Sequence, residues 1–353
     1  YFATACFVVW LVKTSGIYPS GSDTMYHVYR GDYVYNAIKS GNWYPLYDPA
    51  WYNGVEILRY WSPFPAYVMA FCQYLAGGSQ FGAYLFYIGG VCFLGACVWP
   101  FIGRGFNRPY LGAFIGLLWF FIPNNLCAIF IEGNLARSLS MIFLPVFIYS
   151  VYKYLYNHKL RYIPLMVFTF LLMELCHLGY AGMAAIAVII YGIVYMIQKG
   201  RKKAVLDVVI SMIFGFMLLG IWLVASLRGG ITSLDNSENM ANFFQNLWIT
   251  INPFERLTRG FEYFYFGFAA LVVIVFGILF GYKKSRTGFV TGFIILLMTT
   301  KSAYAVLKHL PGSQYLWMLR FISIALCMIL MSFLMWDRLK KTLVLMLCVL
   351  LVV

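Results

Sequence analysis

The sequence predicts an all-α, polytopic integral membrane protein, and three observations lead there. Of 353 residues, 62% are hydrophobic and only 11% charged, with a mean hydropathy of +0.78. Soluble domains carry about 45–50% apolar and about 25% charged residues, so a soluble protein is excluded. The apolar stretches are long and continuous, unlike the alternating strands of about ten residues in a membrane barrel, and lipid obliges each segment to satisfy its own backbone. Finally, the basic residues gather in alternate connections between those stretches. The chain opens inside one apolar stretch and stops inside another, so both ends read as trimmed and no signal peptide is legible. Residues 1–353 then form a single transmembrane domain.

Polar punctuation yields apolar spans near residues 1–13, 80–101, 109–123, 138–153, 161–176, 180–198, 205–227, 261–281, 287–300, 318–336 and 341–353, about eleven in all. Several fall short of the about 20 residues that a bilayer core needs, so they must borrow from their flanks. Residues 63–77 are too short to span and begin with Pro63 and Pro65. They read as a helix in the membrane interface, with Phe64, Tyr67, Val68, Phe71 and Leu75 on its buried side. The eight cysteines lie in apolar segments without zinc-type spacing and read as small buried hydrophobes.

Threading the spans alternately places the connections near 103–108, 153–161, 199–203, 283–286 and 337–341 on one side. They carry 15 of the 26 Lys and Arg against two acids, Asp207 and Asp337, and the positive-inside rule makes that side cytosolic. The net charge of +14 is thereby explained without nucleic-acid binding. The outer side holds the long segments: a first outer loop over 14–79, a second over 123–137, a third over 228–260, and a last over 301–317. An active site would face away from the cytosol, where ATP is scarce, and no Gly-rich phosphate loop ending in Lys-Ser or Lys-Thr occurs.

In the first outer loop, Gly21-Ser22-Asp23-Thr24-Met25-Tyr26-His27 opens a helix that Ser20, Ser22 or Asp23 can cap. Asp23 and His27 are one turn apart and share a face, with Arg30 close to it. A carboxylate there can accept a proton or bind a metal, or it can simply cap the helix. Farther on, Trp43, Trp51, Tyr60 and Trp61 form either an interfacial aromatic belt or a surface for a sugar or lipid head group.

An acid soon after the first span, a His four residues later, the Gly41-Asn42-Trp43 turn, Trp51-Tyr52-Asn53-Gly54 and Pro63-Phe64-Pro65-Ala66-Tyr67 resemble the GT-C superfamily of polytopic glycosyltransferases. Within it the likeness is to the bacterial membrane family described as 6-pyruvoyl-tetrahydropterin synthase-related, or YfhO-like. It continues at Glu132-Gly133-Asn134-Leu135-Ala136-Arg137, Leu144-Pro145, Leu310-Pro311 and Gln314 through Phe321. Here the Gln314 to Arg320 spacing is longer than that family's pattern, and Glu132 stands where many such enzymes have an aspartate.

The resemblance implies a membrane glycosyltransferase that moves a sugar from a polyprenyl-phosphate donor to an envelope glycan or protein acceptor on the extracytosolic face of a bacterial plasma membrane, with inversion. Asp23 is then the base, with Glu132 and His27 beside it. Arg320, Arg137, His177, Trp43, Trp51, Tyr60 and Gln314 are the substrate-binding candidates, with Lys308 and His309 as further cations. Asp23 and Glu132 could hold magnesium or manganese, the metals that carboxylates suit. Membrane lipids and a membrane-protein partner complete the expected surroundings, and no nucleic acid is expected. Glu174, at lipid depth, calls for a partner. Two other readings stay open: a non-catalytic GT-C-like subunit that binds lipid or proteins, and a transporter or flippase of lipid-linked substrates.

Overall fold

The structure is a computed structural model that describes residues 1–19, 21–51, 53–228, 268–309, 317, 320–336 and 341–350. The third outer loop beyond Arg228, together with Gln314 and Asp337, therefore lies outside the described residues. What is described is helical, and the one extended feature is an isolated bridge between Asp48 and Val55.

The helices run in the order α1 (Phe2–Ser15), α2 (Thr24–Lys39), α3 (Ile57–Tyr60), α4 (Phe64–Leu75), α5 (Gln80–Gly105), α6 (Pro109–Trp119), α7 (Pro123–Phe130), α8 (Leu135–Asn157), α9 (Tyr162–Cys176) and α10 (Leu178–Lys199). There follow α11 (Lys202–Leu218), α12 (Gly220–Arg228), α13 (Phe268–Phe280), α14 (Lys283–Met298), α15 (Lys301–Leu307), α16 (Phe321–Leu334) and α17 (Lys341–Leu350).

Three of these, α5, α8 and α10, are long and apolar enough to cross a membrane alone. The count reaches five among the described residues if the bent pairs α6–α7 and α11–α12 are each one span. Eleven spans were expected, and the difference has physical sources. The stretch read as 205–227 breaks at Leu219 with a 65° bend, and α6–α7 bends by 45° where Pro123 starts a new helix. Other segments, α1, α9, α13 and α16, are apolar but only 13 to 15 residues long.

Every residue of α16 is buried, as is most of α8. These two form the axis on which α5, α9, α10 and α14 pack. A helix apolar all round belongs inside a bundle, and α16 is surrounded by protein. One end of the bundle gathers the basic connections. Lys153 Nζ donates to the Gly105 carbonyl at 2.5 Å, Tyr156 Oη to the Lys284 carbonyl at 3.1 Å, and Arg201 meets His158. The outer segments meet at the opposite end.

There, α2 and α4 enclose a small core of Val34, Ile57, Leu58, Ala66 and Ala70. The buried side of α4 is Pro65, Ala66, Met69, Ala70, Cys72 and Gln73, while Phe71 and Leu75 are exposed. Of the side read as buried in the interface, Phe64, Tyr67 and Val68 are half-buried and Phe71 and Leu75 exposed, so a different, smaller-residue side of the helix packs on the protein. Gln73 anchors the helix by donating to Asp32 at 2.6 Å and to the Gly78 carbonyl at 3.1 Å.

Candidate functional site

The site is assembled by a clasp between the segments that lead into α2 and α8. Ser22 N–H donates to the Ile131 carbonyl at 3.3 Å, and Asp23 N–H and Ser22 Oγ both donate to the Glu132 carbonyl at 2.9 Å. The approach depends on glycine. Gly133 has φ +65°, and a Cβ on it would lie 2.2 Å from Thr24 Oγ1 and 2.6 Å from the Thr24 backbone nitrogen. Only glycine tolerates both that conformation and that proximity. The clasp sets Asp23 beside Glu132 although 109 positions separate them in sequence.

Asp23 is the N-cap residue of α2, yet its side chain makes no capping hydrogen bond. The carboxylate is therefore not spent on the helix end. It faces a cavity of about 480 Å³ lined also by Ser22, Tyr26, His27, Arg30, Tyr60, Trp61, Ser62, Asn134, Ala136, His177, Leu178, Gly179, Trp222, Ser226 and Arg320. Burial raises the Asp23 pKa above its ordinary 3.8, and the neighbouring Arg320 charge opposes that rise. His27 is pushed down to about 3 by burial and by the charges of Arg30 and Arg320, so it stays neutral at physiological pH.

Arg320 caps the start of α16 and is 13% exposed. Its Nη1 lies 3.2 Å from His177 Nε2, its Nε 3.6 Å from Glu132 Oε2, and its guanidinium carbon 5.1 Å from the centre of the Trp317 ring. His177 receives a further donor at Nδ1, the Tyr180 N–H at 3.1 Å. With Nδ1 taken by a donor and a guanidinium alongside Nε2, a second proton is unwelcome. Burial, then Arg320, hold the His177 pKa well below 6.5.

Below the cavity lies a denser network, in which only Nε of the Arg137 guanidinium nitrogens lacks a partner among the described residues. Arg137 is wholly buried: Nη1 donates to Glu132 at 2.5 Å, Nη2 to Asn124 at 2.8 Å and to Ser323 at 3.4 Å, and the guanidinium stacks over Tyr180. Its own N–H is bound by Asn134 Oδ1 at 2.9 Å. Tyr180 Oη and Ser323 Oγ, 2.8 Å apart, complete the set.

The structure thus brings Asp23, His27, His177, Tyr60 and Arg320 onto one cavity. Glu132 and Arg137 do not line it; they are bound to each other beneath it, which removes Arg137 from the cavity surface. Trp51 is also behind the wall, packed on Tyr26 and Trp61 with ring centres 4.6 and 6.5 Å away. Trp43 is 72% exposed and outside the cavity, its carbonyl taken by Tyr67 Oη at 2.7 Å, so its expected role in substrate binding is not met. Gln314 lies outside the described residues. Lys308 and His309 end the short helix α15 and line no part of the cavity. Glu174 is buried, and Ser62 Oγ donates to its carbonyl at 2.9 Å.

Of the lining residues, Arg30 and Trp61 stood beside the candidates in the sequence without an assigned role, and Trp222 was not singled out at all. Arg30 is seven positions after Asp23, two helical turns, and so carried a readable signal. Trp222 did not. It reaches the cavity because α12 turns away from α11, with Trp222 Nε1 donating to the Leu58 carbonyl at 2.7 Å and Arg59 Nε to the Ala225 carbonyl at 2.9 Å.

The expected metal finds little support in the donor set. Among the described residues no group of three or more His, Cys, Asp or Glu could hold an ion. Glu132 is engaged by Arg137 and Arg320, which compete directly with any cation. What the cavity offers is one carboxylate with a raised pKa, two neutral imidazoles, guanidinium donors and an aromatic wall. This suits a polar, anionic ligand with an exchangeable proton.

No curated protein and no solved structure matches the chain. Residues 58–353, most of its length, match the family described as 6-pyruvoyl-tetrahydropterin synthase related domain, a family of membrane proteins, and the chain belongs to that family.

Proposed function

We propose that the protein is a membrane glycosyltransferase that transfers a sugar from a polyprenyl-phosphate donor to a hydroxyl of an envelope acceptor on the extracytosolic side of a bacterial plasma membrane. The observation that carries this reading is the convergence of Asp23 and Arg320, from opposite ends of the chain, on one 480 Å³ cavity.

The chemistry follows from the residues. Arg320 holds the donor phosphate through its planar N–H fork, while Asp23 accepts the proton of the acceptor hydroxyl. The acceptor oxygen bonds to the anomeric carbon as the bond from that carbon to the phosphate oxygen breaks. The electron pair leaves on the phosphate, which Arg320 stabilises, and the anomeric centre inverts. The raised pKa makes Asp23 a stronger base than an ordinary carboxylate. Neutral His27 presents its ring to substrate hydroxyls without repelling the guanidinium, neutral His177 sits beside Arg320, and Tyr60 and Trp61 supply a face for the sugar ring.

Asp23→Asn tests the reading. Transfer from a labelled polyprenyl-phosphate sugar should fall by at least about a hundredfold, the lower range of general-base contributions, with donor binding retained. Unchanged turnover would refute the base assignment. Because Asp23 must be ionised to act, transfer should fall with acid along a limb centred above pH 3.8.

A further inference from the structure

Arg30 lines the same cavity as Arg320 but with quite different neighbours. It is 3% exposed, and its Nε and Nη2 are buried without a hydrogen-bond partner among the described residues. The charge packs into a corner made by two rings, its guanidinium carbon 5.2 Å from the ring centres of both Tyr26 and Trp61, which are themselves 5.2 Å apart at 70°. Ring faces attract the guanidinium charge. They offer no lone pair to its N–H donors.

No carboxylate is among the charges that act on Arg30, and three nearby acids are engaged elsewhere. Asp48 accepts from Tyr29 Oη at 2.6 Å, Asp32 accepts from Gln73, and Glu132 pairs with Arg137 and Arg320. Arg30 remains cationic at neutral pH, its pKa lowered to about 10 by burial. Both Arg30 and Arg320 act on His27, so two guanidinium groups flank a single neutral ring. A buried fork with unmet in-plane donors, beside a cavity of about 480 Å³, is the complement of an oxyanion.

We propose that Arg30 forms a second oxyanion subsite, so that the cavity takes substrates bearing two phosphate-type groups, one at Arg320 and one at Arg30. The pairing rests on the assignment of the first phosphate to Arg320; the Arg30 subsite does not. The second group has two sources with one chemistry: a diphosphate on the lipid carrier, or a phosphate on the acceptor.

Binding to the full chain in lipid nanodiscs separates them, with polyprenyl monophosphate, polyprenyl diphosphate and glycerol 3-phosphate as probes. If the carrier supplies the group, the diphosphate binds at least tenfold more tightly than the monophosphate, and Arg30→Met erases the difference while monophosphate affinity holds. If the acceptor supplies it, protein saturated with monophosphate binds glycerol 3-phosphate, and Arg30→Met abolishes this second event. Wild-type protein that shows neither behaviour overturns the proposal without recourse to any variant. So does either behaviour persisting undiminished in Arg30→Met. Arg320→Met keeps the two assignments apart: undiminished monophosphate binding in that variant removes the phosphate from Arg320 and leaves the Arg30 subsite standing.

Discussion

The floor and the wall of the cavity each contain a buried arginine, and the two are built in opposite ways. Arg137, in the floor, donates to Glu132, Asn124 and Ser323, with Tyr180 against its face. Arg30, in the wall, has two aromatic faces and two unmet donors. A guanidinium taken from water needs compensation in charge and in hydrogen bonds. The floor supplies three acceptors, a carboxylate among them, leaving only Arg137 Nε unmet among the described residues, and the wall supplies ring faces. The contrast separates a structural arginine from one kept open for a ligand, although both were simply basic residues near acids in the sequence.

The comparison breaks most visibly at Arg137. Its replacement by Met leaves Glu132 with only the looser contact to Arg320 and removes a donor from Asn124, a loss of about 3–5 kcal/mol by the usual cost of breaking a buried pair. Thermal unfolding in detergent should show this as a large drop in Tm; a Tm near that of the parent would mean that the floor is not what holds the outer end together. Next in size is Gly133→Ala. The positive φ alone costs about 1–3 kcal/mol in a non-glycine residue, and the new Cβ collides with the Thr24 backbone. Since the clasp positions Asp23, transfer activity should fall along with Tm, whereas activity preserved at a lowered Tm would separate the clasp from the site.

How much of this was legible in advance follows from which forces act locally. Helix content and the apolar character of each segment were readable because they are properties of neighbouring residues. The grouping of the basic connections at one end was readable from charge alone. Asp23 and His27 share a helix face by spacing, and Arg320 stood out as a cation at the start of an apolar helix. Three features were not readable. The bend at Leu219 that carries Trp222 to the cavity depends on contacts of α12 with Leu58 and Arg59. The depth of Arg137 depends on a network drawn from four separate segments. Trp43 and Trp51 carried the same aromatic signal as Trp61, and only packing decided that Trp61 faces the cavity while Trp51 backs it.

The protonation of the wall gives a smaller effect. His27 has a pKa lowered from 6.5 to about 3 in the folded protein, so between those values the unfolded chain binds a proton that the folded chain refuses. The stability that its neutrality contributes is present in full above pH 6.5 and is lost as the pH falls from there toward 3, with a slope of at most about 1.4 kcal/mol per pH unit. His177 acts with the same sign. His27→Gln, which cannot titrate, should flatten the fall in Tm between pH 7 and pH 5. An identical slope in the variant would mean that the ring takes up its proton freely and that the two guanidinium groups do not confine it.

The smallest expected change sharpens the comparison most. Arg30→Met removes a buried charge and fills its place with an apolar side chain. The lost ring contacts cost about 0.5–2 kcal/mol, while relief from an incompletely compensated buried cation acts in the opposite direction. The two should nearly cancel, giving a Tm within about 1 kcal/mol of stability of the parent, against the steep loss at Arg137. The same substitution at two buried arginines then yields unequal results for a stated reason: one guanidinium donates to three of the protein's own acceptors and the other leaves two donors unmet. A Tm loss at Arg30 as large as that at Arg137 would show that the wall arginine, too, is part of the scaffold, with its rings providing the stabilisation that acceptors provide in the floor.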